Sequence, residues 1–156
     1  LLRQVPPRRA KAVLMTEAAR VVLDTNVLLS LFVFAASRYA PLRERLAAGE
    51  LLALTDERCL GEFRRVLAYP MFSLDDTAQR TAFESFAHNA AIVAAAPNPV
   101  PLPECKDADD QKFLEVARDG QARWLVTSDK ALLRLARRRK LAHLFDIITP
   151  DQALVR

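Results

Sequence analysis

Short, nearly uninterrupted apolar runs, separated by helix-length amphipathic stretches, constrain this chain more than any other feature. Val21-Val22-Leu23, Leu51-Leu52-Ala53-Leu54, Ala91-Ile92-Val93, Trp124-Leu125-Val126 and Phe145-Asp146-Ile147-Ile148 are all too short for core helices. Without polar alternation they read as strands buried on both faces. Between them, Leu60, Phe63, Val66 and Leu67 form a helical stripe that stops before Pro70. Phe113, Leu114 and Ala117 form another, closed by Gly120. Alternating strands and helices predict one three-layer α/β sandwich, with a central, mostly parallel sheet flanked by helices.

The turn chemistry fills in the rest. A buried helix is expected from Val27 to about Arg38, and a second over Leu42 to Ala48, opened by Pro41 and closed by Gly49. Thr55 is expected to cap the helix whose first turn carries Asp56 and Glu57. Asp75-Asp76 opens a helix with Phe83 and Phe86 on one face, and residues 97–109 read as a proline-rich loop. A helix follows from Asp110 to Asp119. Ser128 is expected to cap the helix of Ala131, Leu132 and Leu135, and Pro150 to Leu154 closes with a short helical turn.

A chain of 156 residues, 51% hydrophobic, is most simply one domain with an ample core. Residues 1–20, with Pro6-Pro7 and several basic groups, read as a flexible basic extension before a domain spanning 21–156; Met15 fits a native start. This extension lacks the apolar core and cleavage site of a signal peptide, and no apolar run is long enough to span a membrane. Cys59 and Cys105 are too few for a disulfide framework, so a reduced, cytoplasmic setting is the default. A net charge of +4 and a pI near 9.4 permit a polyanionic partner.

Against that basic background, four acids stand out. Asp24 ends the first strand, ahead of Thr25 and Asn26, which suit the cap of the next helix. Glu62 lies in the helix after the second strand, Asp110 opens the helix after the proline-rich loop, and Asp129 follows Trp124-Leu125-Val126. A parallel sheet collects such junctions along one edge, where its ligands bind. Converging carboxylates repel unless a cation neutralises them. An all-oxygen set suits Mg²⁺ or Mn²⁺ rather than zinc, and metal-assisted phosphodiester hydrolysis is the chemistry such a site favours. Each acid also has a plainer reading. Glu62 can pair with Arg58 or Arg65 on its own helix. Asp110 and Asp129 can serve the helix dipole alone, and Asp107 and Asp109 compete with Asp110 for a metal role.

Taken together, the motifs resemble the PIN-domain ribonucleases, in the branch of toxin components of toxin–antitoxin pairs. The matching stretches are Val21-Val22-Leu23-Asp24-Thr25-Asn26-Val27-Leu28 and Leu60-Gly61-Glu62-Phe63-Arg64-Arg65-Val66-Leu67, leading to Tyr69-Pro70-Met71-Phe72. Then follow Cys105-Lys106-Asp107-Ala108-Asp109-Asp110-Gln111-Lys112-Phe113-Leu114, Leu125-Val126-Thr127-Ser128-Asp129-Lys130 and Ile147-Ile148-Thr149-Pro150. The resemblance implies that Asp24, Glu62, Asp110 and Asp129 form the catalytic tetrad holding one or two Mg²⁺ or Mn²⁺ ions, with Asp107 beside it. Asn26, Thr127 and Ser128 would support the carboxylates. Ala108 stands where the family often has Pro, and Ser128 where it often has Gly. The resemblance further implies an RNA substrate, a cognate antitoxin protein and a homodimer.

Arg134, Arg137, Arg138, Arg139 and Lys140 form the densest basic run, with Arg134 and Arg138 expected on one helical face. They read equally as RNA-backbone contacts or as a solvated helix end; Arg64 and Arg65 are a second candidate phosphate path. Phe32, Phe34, Phe63, Phe83, Phe86 and Trp124 read as core. Cys59 reads as a small buried hydrophobe, and Cys105, in a loop beside Lys106, as a thiol open to mild reactivity with nothing to mark it as a nucleophile. His88 and His143 have no metal-spaced partner. Two other classes compete. A catalytically silent PIN-like module binding RNA or protein is disfavoured by the intact set of acids. A haloacid-dehalogenase-type phosphatase requires an acid where Asn26 stands.

Overall fold

The structure, a computed structural model, describes residues 3–4 and 18–156. Its strands are β1 (Arg3–Gln4), β2 (Ala19–Leu23), β3 (Leu51–Thr55), β4 (Ala90–Ile92), β5 (Trp124–Val126) and β6 (Asp146–Ile148). Its α-helices are α1 (Thr25–Phe32), α2 (Ala40–Ala48), α3 (Glu57–Leu67), α4 (Asp76–Ala87), α5 (Gln111–Asp119), α6 (Lys130–Arg134) and α7 (Pro150–Leu154). The strands form one sheet in the order β1-β4-β3-β2-β5-β6, parallel throughout. Of the expected basic extension, residues 1, 2 and 5–17, Met15 included, lie outside the described residues, while Arg3–Gln4 pairs with β4 at the sheet edge.

Side chains alternate across a strand, so Val21 and Leu23 face one layer and Val22 the other. The first two pack with Leu28, Leu31, Phe63 and Phe86 of α1, α3 and α4. Val22 packs with Phe113, Leu114 and Val116 of α5 and Leu132 of α6. These two cores make the expected three layers. No described helix is long and apolar enough to cross a membrane.

Several local expectations are corrected. Asp24, Asp56 and Asp129 cap α1, α3 and α6, in place of Thr25 or Asn26, Thr55 and Ser128. β3 runs one residue further than its apolar run, burying Thr55 opposite Ile92, so the cap falls to the next side chain. A carboxylate at that place also meets the helix dipole, which a hydroxyl does not. α1 stops at Phe32 rather than near Arg38. Arg43 reaches across from α2 to donate to the carbonyls of Leu31 (3.4 Å) and Ala36 (3.0 Å), and Ala35 turns left-handed at φ 47°. Phe34, expected in the core, is left 61% exposed.

α6 is likewise short. Short 3₁₀ turns at Leu135–Arg137 and Arg139–Leu141 flank Arg138, which is extended (φ −72°, ψ 137°). Arg134 and Arg138 therefore share no helical face. The break lets both Leu135 and Leu141 enter the core, which one continuous helix does not allow at their spacing.

Gly120 is needed for close approach rather than for conformational freedom. A Cβ there would lie 2.6 Å from Leu54 Cδ1 and 2.9 Å from Val93 Cγ2. Gly120→Ala is expected to destabilise the fold by about 1–3 kcal/mol through overpacking where α5 meets β3. Urea unfolding measures this, and an unchanged midpoint would contradict the packing described.

Candidate active site

The sheet brings two chain ends together. Leu23 of β2 pairs with Val126 of β5, so Asp24 and Thr127 are the next residues on adjacent parallel strands. The backbone continues that register: Asp24 N–H donates to Val126 O (3.2 Å) and Thr127 N–H to Ile148 O (2.9 Å). The chain leaves β2 toward β3 on one side and returns to β5 on the other, and ligand crevices open at such switch points. Asp24 is 5% exposed and Thr127 fully buried. The Thr127 hydroxyl donates to the Asp24 carboxylate through a short hydrogen bond and accepts from Asp129 N–H at 2.9 Å. One hydroxyl thus links two acids. Asp24 also accepts from Val27 N–H (2.9 Å), and Asp129 from Ala131 N–H (2.7 Å) and Leu132 N–H (3.3 Å).

Asp110 arrives from the proline-rich loop. Gln111 ties that loop to α5, accepting from Cys105 N–H (2.8 Å) and donating to Pro103 O (3.0 Å). The Asp110 carboxylate makes no capping hydrogen bond. Glu62 projects from α3. Its same-helix pairing is not formed, because Arg58 is taken by Asp56 (2.8 Å) and Glu115 (2.6 Å). Instead Glu62 pairs with Lys112 of α5. That ion pair lacks hydrogen-bond geometry at Glu62 Oε1, which is shut off from solvent.

Asp24, Glu62, Asp110 and Asp129 line one cleft of about 270 Å³. Their electrostatics reflect burial first and the neighbouring acids second. Burial, followed by the charges of Asp110 and Asp129, raises the Asp24 carboxyl to about 6, against the lowering effect of Thr127 and Val27. Burial, Asp107 and Asp129 raise Asp110 to about 6, with Lys112 opposing. Such a site gains from a cation. The donors are all oxygen, as Mg²⁺ or Mn²⁺ requires. One buried oxygen at the cleft, Thr25 Oγ1, lacks a hydrogen-bond partner, and Glu62 Oε1 has only its ion pair with Lys112. On these grounds the residues fit a divalent ion. Among the described residues, however, no three acid, His or Cys side chains form a ready-made ligand cluster. Asp24 is bound to Thr127 and a helix N–H, Asp129 to helix N–H groups and Glu62 to Lys112, while Asp110 makes no capping bond.

The other sequence-predicted residues are distributed unevenly. Asn26 is exposed on the cleft wall, and Ser128 is exposed. Asp107 is exposed beside the site, accepting from Asp109 N–H at 2.9 Å. The Arg64 guanidinium lies 4.2 Å from the Phe83 ring centre and borders a different cavity, between α3 and α4. Arg65, Arg134 and Arg138 are exposed, and none lines the acid cleft. Cys105 lacks the mild reactivity the sequence left open: burial and the charges of Asp110, Asp107 and Asp129 push it up to about 11.

Sequence reasoning gave no role to Lys112, nor to Tyr69, Met71 and Phe72, which form the apolar rim of the cleft. For Lys112 a signal existed. It is a cation in the first turn of a helix, where the dipole favours anions.

No curated protein matches the chain. The family model described as the PIN domain matches residues 20–131, a span that holds Asp24, Glu62, Asp110 and Asp129. With a parallel α/β sheet and an acidic cleft at its switch point, the chain belongs to the PIN domain family, whose members are generally nucleases.

Proposed function

We infer that the protein is a metal-dependent endoribonuclease, hydrolysing RNA phosphodiester bonds at the cleft of Asp24, Glu62, Asp110 and Asp129. The observation that carries this reading is the convergence of four carboxylates on one opening, two of them with carboxyls near pKa 6. These four would hold Mg²⁺ or Mn²⁺, with Asp107 at the margin. Bound there, the ion supplies Lewis acidity for water activation and offsets charge on the phosphate. The protein's own groups fix the geometry. Thr127 and Val27 N–H orient Asp24, the α6 N-terminus orients Asp129, and the Gln111 clamp sets the approach of Asp110. Arg64, Arg65, Arg134 and Arg138 are exposed cations available to the RNA backbone, Arg64 with its guanidinium resting on the Phe83 ring.

The nuclease domain expected over 21–156 takes in Ala19 and Arg20 of β2 as well, and Arg3–Gln4 of the basic N-terminal stretch joins it at the sheet edge. The toxin role, an antitoxin partner and a homodimer are supported by the motif resemblance alone. A second reading, a catalytically silent binding module, is favoured by one observation: Glu62 already has an ammonium partner.

Incubating the protein with labelled single-stranded RNA in Mg²⁺, Mn²⁺ or EDTA separates the two. Internal cleavage with metal and none in EDTA is expected. Folded protein that binds Mn²⁺ yet leaves RNA intact would favour the silent module.

A further inference from the structure

Among the described residues, Lys112 is the cation that pairs with an acid lining this cleft, Glu62. Its side chain is only 12% exposed, and its ammonium meets both Glu62 and the carbonyl of Asp109. Its Nζ lies over the Phe113 ring, 4.8 Å from the ring centre, a cation–π contact. Its charge also lowers Asp110, against the raising effect of Glu62. Burying a lysine costs free energy unless the charge is paired, and the first turn of α5 is a poor electrostatic place for it. The ammonium is held jointly by Glu62, the Asp109 carbonyl and the Phe113 ring face. A residue that breaks a local rule in a cleft points to function.

We propose that Lys112 is the protein's built-in counter-cation, standing in for the divalent ion by holding Glu62 until that ion takes its place. This rests on the metal-dependent reading above and adds a regulatory element to it. In the metal-free protein, the ammonium offsets the charge of Glu62 and Asp110 and keeps the crowded carboxylates compatible with folding. When a divalent ion enters, it competes with Lys112 for Glu62. Metal affinity is therefore lower than four free carboxylates would give, and the resting cleft stays closed to weakly held cations. Lys112 is a positioning residue: it acts through Glu62.

The test measures Mn²⁺ binding by calorimetry, and the melting temperature with and without Mn²⁺, for wild type, Lys112→Met, Glu62→Gln and the double variant. Removing one positive charge a few ångströms away should tighten Mn²⁺ binding by about ten-fold or more. It should also lower the melting temperature of the metal-free protein and enlarge the rise that Mn²⁺ produces. In the Glu62→Gln background, the loss of metal-free stability should largely vanish, as a double-mutant cycle on a true pair requires. A purely structural lysine gives the stability loss without the tighter metal. If Lys112→Met binds Mn²⁺ no better than wild type, the proposal is wrong while the metal reading stands. If wild type binds no Mn²⁺ at all, both fall. Should Lys112→Met fold only with metal, folding rescued by Mn²⁺ supports the proposal, and no rescue overturns it.

Discussion

Asp24→Asn is expected to remove cleavage by about 10³-fold, the several kcal/mol that a lost metal ligand represents. It is also expected to raise the melting temperature of the metal-free protein. The two effects share one cause. Asp24 is 5% exposed, and its carboxyl is raised from 3.8 to about 6 by burial and by its acidic neighbours. As pH rises from about 4 to about 6, the unfolded chain has already released this proton while the folded protein keeps it. Folding stability therefore falls through that window, and the full penalty persists above it. Asparagine escapes that penalty of about 3 kcal/mol, and its amide oxygen can still accept from Val27 N–H as a good N-cap. The Thr127 hydroxyl, however, loses its carboxylate acceptor at a cost of about 1 kcal/mol. The gain should be near zero at pH 4 and about 2 kcal/mol at pH 7, or about 4–8 °C. Thermal melts across this range in EDTA check it. A variant that melts well below wild type at pH 7 would contradict the burial penalty described.

Thr127→Val should be the second large effect. The hydroxyl is fully buried, donates to Asp24 and accepts from Asp129 N–H, so its loss strands a donor and an acceptor at once. Valine keeps the shape and removes both bonds. A stability loss of about 2–3 kcal/mol and a 10- to 100-fold loss of activity are expected. Thr127→Ser restores the hydroxyl and should recover most of both. Urea unfolding and cleavage rates on the two variants provide the check. A valine variant that is as active as wild type would separate Thr127 from the site.

Much of this fold was legible because buried parallel strands write themselves as continuous apolar runs. Val21 to Leu23 and Trp124 to Val126 could be placed from their apolar runs, with Asp24 directly after the first and Asp129 three residues past the second. Helix ends were less legible. α1 is stopped by Arg43, which lies in the next helix, and α6 breaks because Leu135 and Leu141 both seek the core. Neither cause is local in sequence. The caps moved by a single residue because a strand can extend through a threonine such as Thr55. Within the cleft, Glu62 could be given only same-helix partners from spacing, Arg58 or Arg65. Its actual partner, Lys112, lies on a different helix and is brought close only by the packing of α3 against α5. The same packing logic turns Arg64 onto Phe83, away from the acids.

The most direct test of the central claim is anomalous diffraction from crystals soaked in Mn²⁺, collected for wild type and Asp24→Asn. The account predicts a Mn²⁺ peak in the cleft between Asp24, Glu62, Asp110 and Asp129, weakened or absent in the variant, with Glu62 drawn off Lys112. A cleft empty of Mn²⁺ at concentrations that support cleavage, or a peak bound elsewhere, would contradict it.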